Sequence, residues 1–180
     1  MTATEPNYTI ITSDSHAGGS HEQYREYLDP AWRDEFDAWR EKYKNPWKDL
    51  RDTDLRVRSW DDDRRNADQL SDGVVGEVIF PNTVPPFYPG FVLFAGPPKD
   101  GEEYERRRAG IHAHNRWMVD FCGRQPERRA GIGQIFLNDI DDAIEDATWI
   151  KENGLRGGVL IPTVAPDVKW VKPIIDPVYD

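Results

Sequence analysis

Cysteine occurs once in 180 residues, at Cys122, which excludes an internal disulfide framework and any zinc ribbon built on paired cysteines. A single thiol fits a reducing compartment. Basic side chains are in deficit, 23 Lys and Arg against 33 Asp and Glu for a net charge of −10. The chain therefore lacks the clustered cations that nucleic acid and anionic membranes reward. No apolar run nears the ~20 residues of a membrane-spanning helix. Residues Met1 to Tyr8 also lack the basic patch and apolar stretch of a secretory signal. A glycine-rich phosphate fingerprint is missing as well. These absences predict a soluble, cytoplasmic protein with no nucleic-acid and no membrane partner.

What is present is aromatic and periodic. Seven Trp, seven Tyr and seven Phe supply large buriable surfaces and speak against wholesale disorder, and the length fits one domain. Tyr8 to Thr12 is a β-branched run closed by a polar, glycine-bearing loop over 13–19. Trp32, Phe36, Trp39, Tyr43 and Trp47, three or four apart, predict an amphipathic helix or two broken near Pro30 and Pro46. A short helix follows over 60–70, with Asp61 or Asp62 as its cap, then a strand over 74–80. Six prolines between Pro81 and Pro98 forbid regular structure. A long helix is expected over 102–123 and a strand over 130–136. Asp139 then caps a helix from Ile140 to Ile150 that Asn153-Gly154 stops, and a last strand covers 158–161. Alternation of apolar strands with amphipathic helices describes parallel βα units. Four such strands make half of a closed eight-stranded barrel, or else an open four-stranded α/β sheet.

Asp14 and His16 are the sharpest chemical feature. Residues two apart on a strand project to one face, so a carboxylate oxygen and an imidazole nitrogen can converge on one metal ion. Barrel active sites gather at the C-terminal ends of the strands, where this pair lies. The plain alternative is that Asp14 caps a turn and His16 packs beneath it. His21, in the first loop, is a lesser candidate for the same ion. His112 and His114 fall ~200° apart on a helix, cannot chelate together, and are expected as surface histidines. Phe87, Tyr88, Phe91 and Phe94 either shape an apolar pocket or, as expected more strongly, pack the proline-rich segment. Arg106-Arg107-Arg108, preceded by Glu102, Glu103 and Glu105, reads as a solvated, salt-bridged helix face.

The run Ile10-Ile11-Thr12-Ser13-Asp14-Ser15-His16 resembles the opening strand of the amidohydrolase-related metal-dependent hydrolases, the group that includes 2-amino-3-carboxymuconate semialdehyde decarboxylase. Similar runs follow in order: Gly76 to Asn82, Asn115-Arg116-Trp117 through Phe121-Cys122, the arginine-rich entry to the third strand, Gly154 to Gly158, and Pro173 to Asp180. The resemblance implies an α/β fold of TIM-type (β/α)8 barrel units, with residues 1–180 as the N-terminal half of one domain and loop excursions at about 17–60 and 81–101. It further implies one divalent metal, zinc first and manganese second, held by Asp14 and His16. Family members complete that site with a histidine from the fifth strand and an aspartate from the eighth, and this chain ends before either. Gly18-Gly19 stands where many relatives have Glu-Pro.

The expected function is a metal-dependent hydrolase or decarboxylase acting on a small carboxylated or carbonyl substrate. This chain alone is expected to be inactive, because a catalytic zinc keeps three protein ligands and a water. The alternative is a non-catalytic half-barrel interaction subunit. Unpaired edges on the first and fourth strands invite association, either with a second copy or with a complementary C-terminal half.

Overall fold

The computed structural model describes residues 8–44, 56–81, 84–89 and 95–161. Pro46, Phe91, Phe94 and the run from Pro173 to Asp180 lie outside them. Strand β1 spans Ile10–Ala17, extending past the apolar run into residues expected as loop. Pairing decides this: Ser15, His16 and Ala17 lie beside Ile79, Phe80 and Pro81 in parallel register, and ladder hydrogen bonds do not require apolar side chains. Helix α1, His21–Tyr27, begins with a reciprocal capping box between Ser20 and Gln23. A single 3-10 turn over Pro30–Trp32 leads into α2, Arg33–Lys42. The break falls at Pro30, which sits at the first position of that turn, where its missing N–H costs nothing.

Local signals set the remaining boundaries. Helix α3, Asp62–Ser71, starts where the Asp61 side chain accepts from the Arg64 amide at 2.8 Å, an N-cap. Strand β2 is Val74–Pro81, and α4 runs over Gly101–Gly123 from an Asp100 cap. Strand β3, Arg129–Gln134, is followed by α5, Ile140–Glu152, capped by Asp139. Gly154, with φ +83°, turns the chain out of α5 toward β4, Gly158–Leu160.

The four strands form one parallel sheet in the order β1-β2-β3-β4. Its helix-facing side carries the main core, in which Ala17, Ile79, Met118, Phe121, Ile150 and Leu155 are all buried. Gly131 and Gly133 belong to that side. A Cβ on Gly131 would stand 2.8 Å from both Cys122 and Met118, and one on Gly133 would stand 2.4 Å from Ile150, so the helices approach β3 closer than any side chain permits. Strand alternation then sends Ile132 and Gln134 to the opposite face. Two smaller clusters tie the second loop down. Phe87 packs with Leu28, Phe36 and Ala113, and Tyr88 packs with Ile111 and Phe136.

Candidate metal centre

The pair at the end of β1 is shaped by an irregularity. Thr12 lies opposite Glu77 and Ser15 opposite Ile79, so β1 holds one residue more than β2 across this stretch. Such a bulge bends the strand and re-aims a side chain, and Asp14 sits within it. Ser15 turns toward the helices, its hydroxyl donating to Glu77 at 2.7 Å, whereas His16 pairs with Phe80 on the opposite face, the one Gln134 also takes. There the Asp14 Oδ1 and His16 Nε2 atoms are 3.4 Å apart, with side-chain exposures of 84% and 55%. The donors converge, and space lies beside them.

The donor set fits a divalent ion. Two ligands of a tetrahedral ion at ~2.0–2.2 Å are separated by ~3.3–3.6 Å, and the pair already stands at that spacing. The Nδ1 atom of His16 faces the Pro81 carbonyl at 3.5 Å and the ring leans on Phe80, centroids 5.8 Å apart. A metal-binding imidazole is commonly oriented by such a carbonyl on its other nitrogen, which leaves Nε2 free to coordinate. Among the described residues no group of three or more His, Cys, Asp or Glu side chains is placed to hold a metal.

Beneath the pair lies an ionic anchor to which the β1 motif contributes the Ser15 side chain and the His16 carbonyl. Glu77, 2% exposed, accepts from Arg65 Nε at 2.8 Å. Arg65 also donates to Ser15 Oγ at 3.0 Å and to the His16 carbonyl at 3.1 Å, so one guanidinium grips two successive residues of the strand just past the bulge. Arg129 lies 3.6 Å from the same carboxylate and closes on Asp62 at 2.6 Å. Burial alone would raise the Glu77 carboxyl, but Arg65 outweighs it and, with Ser15, holds the group below its ordinary range. The available sequence signal was a lone carboxylate inside the apolar run Val74 to Phe80, where an unpaired charge would be costly.

The other sequence candidates are placed as follows. His21 opens α1 within a nest of Phe36, Trp39 and Tyr43, ring centroids 5.2–6.0 Å away. Burial lowers its pKa to about 4, and it does not join the pair. His114 is not a surface residue: it is fully buried because α4 is covered by α1 as well as by the sheet, and the Tyr24 hydroxyl meets its Nδ1 at 2.6 Å. Burial lowers the His114 pKa to about 3. His112 bonds Asp146 at 2.8 Å beside a cavity of about 250 Å³ between α4 and α5. Arg108 already meets Asp142, Glu145 and Asp146 there at 2.9–3.1 Å, so the charges of that cavity are spent on one another.

The Arg106–Arg108 run is salt-bridged as expected, although Arg107 is buried rather than solvated, pairing with Glu103 and donating to the Gly96 carbonyl at 2.6 Å. Phe87 and Tyr88 are packing residues, 5% and 0% exposed. Gly19, in the unusual Gly-Gly pair, lets Trp117 close over the first loop, where a Cβ would stand 2.9 Å from the indole nitrogen. Cys122 is buried, which lifts its thiol to about 11, so it offers no nucleophile.

No protein-family profile and no curated protein sequence matches the chain. Solved structures do. A 5-carboxyvanillate decarboxylase from Novosphingobium aromaticivorans, complexed with manganese and 4-hydroxy-3-methoxy-5-nitrobenzoic acid, superposes with a TM-score of 0.60 at 20% identity, covering 97% of this chain and 47% of that one. An amidohydrolase from Mycobacterium avium subsp. paratuberculosis gives 0.56 at 15% identity, covering 88% and 52%. A second 5-carboxyvanillate decarboxylase, from Sphingomonas paucimobilis, gives 0.52 at 16% identity, covering 95% and 48%. The chain thus spans about half the length of these structures. Its four parallel strands and the helices between them match about half of the fold of TIM-barrel amidohydrolases and decarboxylases, the architecture the resemblance in its sequence implies.

Proposed function

We propose that this chain is the N-terminal half of a metal-dependent amidohydrolase-type enzyme, a hydrolase or decarboxylase of small carboxylated or carbonyl substrates. Asp14 and His16 are two of its metal ligands. The supporting observation is the 3.4 Å approach of their donor atoms at the strand end where barrel sites form. A divalent ion held there, zinc or the manganese seen in the decarboxylase neighbour, supplies Lewis acidity toward a carbonyl or carboxylate oxygen. Asp14 lends the charge, His16 the oriented Nε2, and Arg65 with Glu77 fixes the strand that carries both. The remaining ligands come from a complementary half. Metal analysis of the protein dialysed against zinc or manganese, alone and with such a half supplied, tests the reading. Retention should fall at least tenfold in His16→Ala and in Asp14→Ala; retention unchanged by both substitutions overturns it.

A second reading has its own observation. Tyr8, Ile11 and Val159, on or next to the outer strands, are 80%, 64% and 37% exposed. Large exposed apolar residues at the outer strands of the described sheet suit a non-catalytic interaction subunit. Turnover by this chain with its complementary half would exclude that reading, and tight association with no metal retained would favour it.

A further inference from the structure

Gln134 is the last residue of β3 and is fully buried, yet among the described residues neither its side-chain oxygen nor its side-chain nitrogen has a hydrogen-bond partner. Buried amides are nearly always satisfied, because a buried polar group without a partner loses its hydration uncompensated. The main chain at the same residue is treated in the opposite way. Pairing between β2 and β3 covers only Glu77–Ile79 against Arg129–Gly131. Beyond it the Asn115 side chain stands in for the missing strand: its Nδ2 donates to the Gln134 carbonyl and its Oδ1 accepts from the Gln134 amide, both at 2.9 Å. The backbone is clamped while the buried side-chain amide is left without a partner.

That side chain leaves the sheet on the face of Asp14 and His16, as the helix-facing Gly131 and Gly133 require. Register places it nearby. Ile79 is level with both Ser15 and Gly131, so Gln134 stands about two residues further up, two strands across, roughly 11–12 Å from His16 between main chains. Both side chains can reach one ligand of benzoate size from that distance.

We propose that Gln134 binds substrate at the site read above as a metal centre, its amide meeting a hydroxyl, methoxy or carbonyl oxygen while the substrate carboxylate lies toward Asp14 and His16; Asn115 is the residue that positions it. The proposal rests on the function proposed above for its second anchor point. A primary amide offers an acceptor oxygen beside an NH2 donor and carries no charge, so it can meet both the O–H and the oxygen of a hydroxyl substituent, or donate to a methoxy or carbonyl oxygen.

The test follows the side-chain amide resonance of Gln134 by NMR in the full chain, titrated with 4-hydroxy-3-methoxybenzoate or benzoate, with and without manganese. Without the ion, 4-hydroxy-3-methoxybenzoate should shift that resonance and benzoate should not. Gln134→Met, which keeps volume and removes the polar atoms, should weaken binding of 4-hydroxy-3-methoxybenzoate about five- to tenfold and of benzoate less than twofold, while melting no lower than the parent. Equal binding of 4-hydroxy-3-methoxybenzoate by parent and Gln134→Met, or a Gln134 resonance in contact with bound water only, overturns the proposal. Loss of manganese broadening around His16 with the Gln134 shift intact overturns the metal reading alone.

Discussion

Glu77 shows how one residue's chemistry reaches the candidate site without touching it. Its carboxylate balances Arg65 and Arg129 in a space where neither partner meets much solvent. Removing one member of such a group strands the others and costs about 3–5 kcal/mol. Glu77→Gln should therefore lower the unfolding free energy by that order in urea titrations, and should disturb the imidazole resonance of His16 because Arg65 loses its hold on β1. A drop below about 1 kcal/mol would mean that the anchor contributes little. This group was only half legible in the sequence. Glu77 is visible as a charge within an apolar strand, although it is not among the site candidates read from the sequence; its partners are 12 and 52 residues away, and only the helix-to-sheet packing brings them in. His114 illustrates the same limit: its spacing from His112 rules out joint chelation, and nothing local reveals that α1 covers one of the two.

At the scale of elements, boundaries written by single polar side chains were readable. Asp61 and Asp139 cap their helices, and Gly154 ends α5, because those interactions lie within four residues. The extension of β1 through Ser13 to Ala17 was not readable, since pairing with β2 supplies the order that composition does not. The junction of α4 and β3 makes the matching energetic prediction. Asn115→Ala should cost about 2–4 kcal/mol, because it leaves a buried N–H and a buried C=O without partners. Amide exchange should quicken at Gln134 before it does at Ile132, whose neighbours in the ladder remain. Uniform acceleration across β3 would show that the clamp is no local device.

For the whole molecule, one half-buried and one fully buried histidine set the response to acid. His21 and His114 have folded pKa values of about 4 and about 3 against an ordinary 6.5, whereas both titrate normally once unfolded. Between pH 6.5 and 4 the unfolded chain therefore binds protons that the folded chain refuses, and stability falls as pH falls, by up to about 1.4 kcal/mol per unit for each histidine. Glu77 and Asp146, both held below their ordinary range, add stability that is present above about pH 4.5 and is lost in more acidic solution. Urea unfolding at pH 7 and pH 5 should differ by up to about 4 kcal/mol, and His21→Phe, which suits the aromatic nest, should halve that difference. At the same scale, the exposed Ile11 and Val159 predict association that strengthens with protein concentration in light scattering, or that vanishes when a complementary half is added.

The surplus residue in β1 separates composition from aim. Ile11 and His16 share a face although five positions apart, because Gly76 and Phe80 opposite them are only four apart. Excising Ser13 would match the stretch from Ile11 to Ala17 residue for residue with Gly76 to Pro81, keeping the ladder partners and both donors in the chain, while rotating the carboxylate of Asp14 about the strand. Ion capture by that shortened protein would therefore register orientation by itself, a quantity no alanine substitution can isolate.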